Sequence, residues 1–314
     1  MKKFTLLLSF FACVLASQAQ TLVNENFDYA AGTGLIGQGS WAIVGTSVVN
    51  PITVSAASIS YPNYPSSGVG QELSIATNGQ DVTKAFTAQL TGTVYYSFIA
   101  NFSTAKTTGD YFIHTVETGS TSAFFGRVYV KSVGEKIAFG ILSATGGTYS
   151  PTYTDAIYDL NSTYLIVVKV DASTGASSLI INPAFTPEPT SWINNTTGGT
   201  TVPSATAGIG GINIRQGTDA NAPTLKLDGI RVATTWNALF TSTGLKTAST
   251  DKLNVSVAGK TLTITNAPSN TVEIFNMIGA KVQKVELKNN SVDLNLAKGV
   301  YLIRAGKATA KIML

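Results

Sequence analysis

Along residues 22–240 the apolar positions fall in short runs, many of them alternating with polar residues, and clusters of Gly, Asn, Pro and Ser separate the runs. Alternation with period two puts one kind of side chain on one face of a strand, and the intervening residues supply the backbone angles that tight reversals need. No stretch sustains a helical period. The clearest strands are 94–99, 124–130, 164–170 and 178–181. The third is apolar at nearly every position, which predicts a central strand covered on both faces. Residues 171–175 predict a hairpin loop. Residues 194–201, after Pro183, Pro187 and Pro189, predict a long flexible loop at the rim of the sandwich, where binding usually takes place.

The pattern changes after Phe240. Residues 241–250 are polar, small and unpatterned, and predict a linker. Beyond it Leu253, Val255 and Val257, then Leu262 and Ile264, then Val272 and Ile274 form three more period-two runs. Val282, Val285, Leu287, Val292 and Leu294 continue the meander, and 300–304 with 310–313 close it. The fold class is therefore all-β: a large jelly-roll β-sandwich over 20–240 and a small Ig-like β-sandwich over 251–314.

Composition agrees. Charged residues are 12% of the chain while Thr, Ser, Gly and Asn abound, which favours strands and turns over helices. The formal charge of +4 drops to +2 without Lys2 and Lys3, and the remaining lysines are scattered, so nucleic acid is excluded as a partner. Lys2 and Lys3 precede an apolar run, 4–16, and Ser17 and Ala19 stand two apart. Basic start, short apolar stretch and small residues together predict a signal peptide, 1–19. Cys13 is the sole cysteine and lies inside that segment, so the mature chain has neither a disulfide nor a thiolate metal site. Phe10 stands where a lipobox usually has Leu, which argues against lipidation at Cys13.

Three pieces of the C-terminal segment recur in order. Residues 272–279 run as a strand into Ile278-Gly279, followed by Ala280-Lys281-Val282; Gly299-Val300-Tyr301 opens the penultimate strand; Lys311-Ile312 precedes the terminus. In these features the segment resembles the C-terminal sorting domain of type IX secretion system cargo proteins of Bacteroidota. The resemblance marks Gly279, Gly299, Val300, Tyr301 and Lys311 as sorting-signal positions. It implies recognition by the outer-membrane translocon, removal of the tail by a surface sortase, and a product released or anchored to surface lipopolysaccharide. The two glycines are expected to supply turn conformations that a side chain would resist.

The large domain is framed by Glu25-Asn26-Phe27-Asp28-Tyr29 and by 227–232 with Trp236. That framing is similar to concanavalin A-like or laminin G-like jelly rolls, whose first and last strands pair. If Phe27 points inward, period two takes Glu25 inward too, and Ile230 and Val232 take Asp228 with them. Two inward carboxylates predict a structural calcium at Glu25 and Asp228, a site the resemblance also implies. The alternative is that Leu225 and Leu227 define the inner face and leave Asp228 in solvent.

Catalytic signatures are missing from the sequence. The Glu-x-Asp-x-x-Glu of jelly-roll glucanases is absent. Glu25 and Asp28 have the wrong parity to share a face, and Asp155 and Asp159 sit in a loop-like stretch. His114 stands roughly 13 Å along a strand from Asp110, too far for a relay, and there is no Gly-x-Ser-x-Gly elbow. Trp41, Tyr61, Tyr64, Tyr149, Tyr153 and Trp192 lie in or beside Gly/Pro/Ser-rich loops. Rings at a rim suit stacking on a sugar, or else they cap the open ends of the sandwich; Trp236 reads as a core cap. The expectation is an exported, cell-surface or secreted binding module for glycan or matrix. A structural or adhesive surface protein is the competing class, and a carbohydrate-active hydrolase a third.

Overall fold

The alternating runs of residues 21–233 pair into two antiparallel sheets whose inner faces share one core. The computed structural model describes residues 20–241 apart from 197, and 253–314 apart from 266, 268, 277, 278 and 307. The signal segment 1–19 and linker residues 242–250 lie outside the described residues. The chain divides into two compact units, Met1–Thr241 and Ser242–Leu314.

The strands of the first unit are β1 (Thr21–Glu25), β2 (Trp41–Val44), β3 (Thr53–Val54), β4 (Leu73–Ile75), β5 (Asp81–Gln89), β6 (Thr93–Thr104), β7 (Asp110–Glu117), β8 (Phe124–Val133), β9 (Lys136–Ala144), β10 (Thr152–Tyr153), β11 (Thr163–Asp171), β12 (Ser177–Ile181), β13 (Ile193–Asn195), β14 (Ile209–Ile214) and β15 (Thr224–Ala233). The eight-stranded sheet runs β13-β12-β11-β6-β15-β4-β3, with β1 also on β15, and the seven-stranded sheet runs β10-β9-β8-β7-β14-β5-β2. First and last strands do pair, Glu25 opposite Ile230. Between the sheets Phe98, Phe102, Phe112 and Phe139 interlock edge to face, with Phe102 5.3 Å from Phe112 and 5.4 Å from Phe139.

A bulge in β15 decides what each face carries. Gly229 has φ +61° and the register with β6 shifts between Asp228 and Arg231. The extra residue resets the parity, so Leu225, Leu227, Ile230 and Val232 all enter the shared core. Asp228, paired with Ile99, goes to the outer face. That face is not open. Ile59, Tyr64, Trp192, Trp236 and Leu239 pack over Ile99, Leu165 and Val167 in a second core. This cover explains why 164–170 is apolar on both sides. Trp236 begins α1 (Trp236–Phe240), where Thr235 Oγ1 caps the helix by accepting from Ala238 N at 3.3 Å. The buried Arg231 ties the end of the unit down, its Nε donating to Leu239 O and its Nη2 to Thr241 O, both at 2.5 Å.

The 171–175 reversal is the β11–β12 hairpin, with Asp171 Oδ1 accepting from Ser173 N and Thr174 N. Residues 194–201 are not a free loop throughout: Asn194 and Asn195 belong to edge strand β13, and buried Asn195 Oδ1 accepts from Ser143 N at 2.9 Å. Polar composition concealed a strand whose Asn195 hydrogen-bonds inward.

The second unit holds β16 (Asn254–Ala258), β17 (Thr261–Thr265), β18 (Thr271–Phe275), β19 (Lys281–Glu286), β20 (Ser291–Asp293), β21 (Val300–Ala305) and β22 (Ala308–Met313). Sheets β16-β17-β20 and β19-β18-β21-β22 enclose Leu262, Ile264, Val272, Ile274, Ile303 and Ile312. Gly279, at φ +81°, turns β18 into β19 as expected. Gly299 does not need to be glycine for its backbone. Its φ is not left-handed, a Cβ there would meet the Tyr301 ring no closer than 3.5 Å, and its N–H and C=O extend the final hairpin to Leu314.

Candidate ligand-binding face

The loop aromatics do not form a rim platform. Trp41 is 2% exposed and its Nε1 donates to Glu25 Oε2 at 3.1 Å. Tyr64 is 3% exposed and donates to Gly229 O at 2.7 Å. Trp192 is 9% exposed, donates to Pro189 O, and stands edge-on to Trp236. Trp41 points into the shared core from the start of β2, and Tyr64 and Trp192 are buried because their loops fold down over the outer face of the eight-stranded sheet. Tyr61 is half-buried beside the outer core, and Tyr149 is exposed at 47%. Tyr153 alone of the six joins other aromatics on an open sheet face.

The two carboxylates assigned to calcium are not brought together. Glu25 faces inward as expected, but its oxygens accept from Phe27 N, Tyr29 Oη and Trp41 Nε1 and pair with Lys84 Nζ at 2.8 Å. Asp228 lies on the outer face of its sheet and accepts from Ser58 Oγ, Ile59 N and Gly229 N. Both are surrounded by N–H and O–H donors rather than by the oxygen ligands calcium takes, so the residues present do not fit the ion. Burial pushes the Asp228 carboxyl up to about 7. His114 is buried against Phe124 and Tyr111, and burial holds its imidazole down at about 3, neutral at physiological pH. Asp159 pairs with Lys136, and Asp110 with Arg215 at 2.9 Å.

The outer face of the seven-stranded sheet carries what the sequence reading missed. Strand register sets Tyr111 opposite Tyr129, Tyr129 opposite Gly140, and Gly140 opposite Tyr153. One lateral row thus crosses β7, β8, β9 and β10. All three tyrosines are half-buried. Tyr111 and Tyr129 have ring centroids 5.4 Å apart, and the Tyr153 ring lies against Gly140, where a side chain would collide with it. Cations flank the row: Arg215 stands 4.2 Å and Arg127 5.3 Å from the Tyr111 ring, and Lys131 Nζ 4.0 Å from that of Tyr153. Burial raises all three phenols, Tyr153 to about 12, so each stays a neutral donor and acceptor. The only advance signal was the alternation Arg127-x-Tyr129-x-Lys131 inside the 124–130 strand and just past it.

Another concavity, about 450 Å³, is lined by Asn101, Ser103, Asn161 and Lys226 among others and contains no aromatic ring.

No curated protein matches the chain. Among solved structures, the CBM2 module of the evolved Dit of Lactobacillus casei BL23 phage J-1 is similar at 10% identity, with 68% of this chain and 95% of that one covered and a TM-score of 0.40. Domain 4 of AbnA, an extracellular arabinanase from Geobacillus stearothermophilus in complex with arabinotriose, gives 11%, 71%, 97% and 0.41. Trypanosoma rangeli sialidase gives 12%, 70%, 32% and 0.40. Likeness at that level says nothing of a ligand here. Residues 249–313, in contrast, match the secretion system C-terminal sorting domain family. With that domain at its end, the protein is a cargo of the type IX secretion system, exported to the cell surface or the extracellular space.

Proposed function

We propose that the unit ahead of the sorting domain is a non-catalytic glycan-binding module that acts outside the cell through the face bearing Tyr111, Tyr129 and Tyr153. The observation that carries this reading is the lateral row itself. Tyr111 and Tyr129 on adjacent strands, and Tyr153 two strands further across Gly140, are held in line by the backbone ladder at a spacing of about 4.8 Å between strands, so little ordering is left to be done on binding. Phenols combine an apolar plane with a polar tip, which suits the mixed surface of a sugar. An open face also fits a polymer better than a small enclosed ligand does. Carboxylates that could serve as acid and base are instead engaged, Glu25 by Lys84, Asp110 by Arg215 and Asp159 by Lys136. In this reading residues 1–19 direct the first export step, the outer-membrane translocon takes the tail, and a sortase removes it.

Full-length protein applied to an array of neutral and acidic polysaccharides tests the proposal. Saturable binding that falls about tenfold or more in Tyr129→Ala, with the fold intact by circular dichroism, is the expected result. Absence of any glycan binding overturns it and leaves an adhesive or structural surface role.

A further inference from the structure

We propose that the ligand of the tyrosine row is an acidic polysaccharide bearing carboxylates, a uronic-acid polymer, seated over the end of the row formed by β8, β9 and β10. This rests on the glycan-binding reading and narrows it. The rings are not bare platforms. Arg215 and Arg127 stand over Tyr111, and Lys131 over Tyr153, whose ring also lies against Gly140. A ring covered in this way cannot stack fully on a neutral sugar, so guanidinium, ammonium and phenol hydroxyl groups meet the ligand.

The charge is uneven along the row. At the Tyr111 end Arg215 is matched by Asp110 at 2.9 Å, and Asp81 stands nearby, accepting from Gln216 N at 2.7 Å. Arg127 and Lys131 flank Tyr129 on the same face of β8, Arg127 reaching back towards Tyr111 and Lys131 towards Tyr153, and among the described residues neither has an ion-pair partner. Arg127 Nη2 donates to Ala144 O at 2.6 Å, while its Nε is buried with no acceptor. A half-buried cation without a counter-charge costs free energy that an incoming anion would recover. Arg127 and Lys131 are four residues apart on one strand, so their Cα atoms stand roughly 13 Å apart and present two separate charges to a polymer rather than one. The neutral phenols donate between them. Carboxylates accept from guanidinium, ammonium and phenol alike, and charge-assisted bonds of this kind are the stronger ones.

The test uses full-length protein with polygalacturonate, alginate and hyaluronate, and with the methyl ester of polygalacturonate, which keeps the backbone and removes the charge. Binding to at least one acidic polymer, absent for the ester, reduced about tenfold or more in Lys131→Gln and weakened by added salt, supports the proposal. Lys131→Gln is the primary variant because no side-chain hydrogen bond to the backbone is lost with it, whereas Arg127→Gln, the second variant, also removes the bond to Ala144 O and is expected to weaken binding in the same direction. Equal binding of ester and acid, or preference for neutral or sulfated glycans on the array, overturns the carboxylate assignment while leaving glycan binding in place. No binding of any polysaccharide overturns both.

Discussion

The Tyr153 ring rests on Gly140: a Cβ added to that glycine would sit 2.7 Å from the ring. The two residues are cross-strand partners on β10 and β9, and Gly140 in turn faces Tyr129 on β8. A missing side chain in the middle of the row therefore determines where the outermost tyrosine lies. Because the colliding atoms belong to a side chain, Gly140→Ala is expected to fold, with Tyr153 displaced. Binding should weaken severalfold while the thermal midpoint moves by only a few degrees. Affinity and melting measurements on the same preparation check this, and unchanged affinity would remove Tyr153 from the site.

Trp41 is expected to behave differently from Tyr129. Its indole is in the core and its N–H serves Glu25, which also holds Lys84. Trp41→Ala should cost about 3–5 kcal/mol of stability, whatever the ligand. Tyr129→Ala, on the half-exposed face, should cost about 1 kcal/mol and affect binding instead. Urea denaturation of both variants separates the two roles.

Stability should respond to pH through two buried groups of opposite sign. His114 is held near 3 against an ordinary 6.5, so between those values the unfolded chain binds more protons and stability rises with pH. Its contribution is full above about 6.5 and is lost as pH falls towards 3. Asp228 is raised from 3.8 to about 7, so between those values the folded chain binds more protons. Its contribution is full below about 3.8 and is lost as pH rises through 7. His114→Gln should flatten the loss of stability on acidification from pH 7 to 4, and Asp228→Asn should steepen it. Denaturation curves at pH 7, 5.5 and 4 read both; slopes unchanged from the parent would contradict the assignment.

Chelation should have no effect on stability. Glu25 and Asp228 lie on opposite sides of their sheet, each already supplied with hydrogen-bond donors. A calorimetric melting curve in EDTA is expected to superimpose on one in calcium. A shift of several degrees would mean an ion site elsewhere in the chain.

The sorting domain was the most legible part of the sequence, because its motifs recur in a fixed order at one end and Gly279 does occupy a left-handed turn. The strands and the pairing of the two ends were legible too, since period two reports burial directly. Period two failed at Gly229, where one extra residue reverses the parity of β15 and carries Asp228 to the outer face. Loop composition misled for Tyr64 and Trp192, because their Gly- and Pro-rich segments lie back over a sheet, and for Trp41, because it opens an inward-facing edge strand directly after a Gly-rich turn. The tyrosine row was hidden for another reason. Tyr111, Tyr129, Gly140 and Tyr153 become neighbours only through the lateral register of four strands, which no local pattern encodes.

The most direct test of the central claim is a crystal structure of the full-length protein with an oligosaccharide of whichever polymer it binds. The ligand is expected across the outer face of β7 to β10, in contact with Tyr129 and Tyr153 and between Arg127 and Lys131. A ligand seated instead in the concavity lined by Asn101, Asn161 and Lys226, with the tyrosine row untouched, would contradict the account.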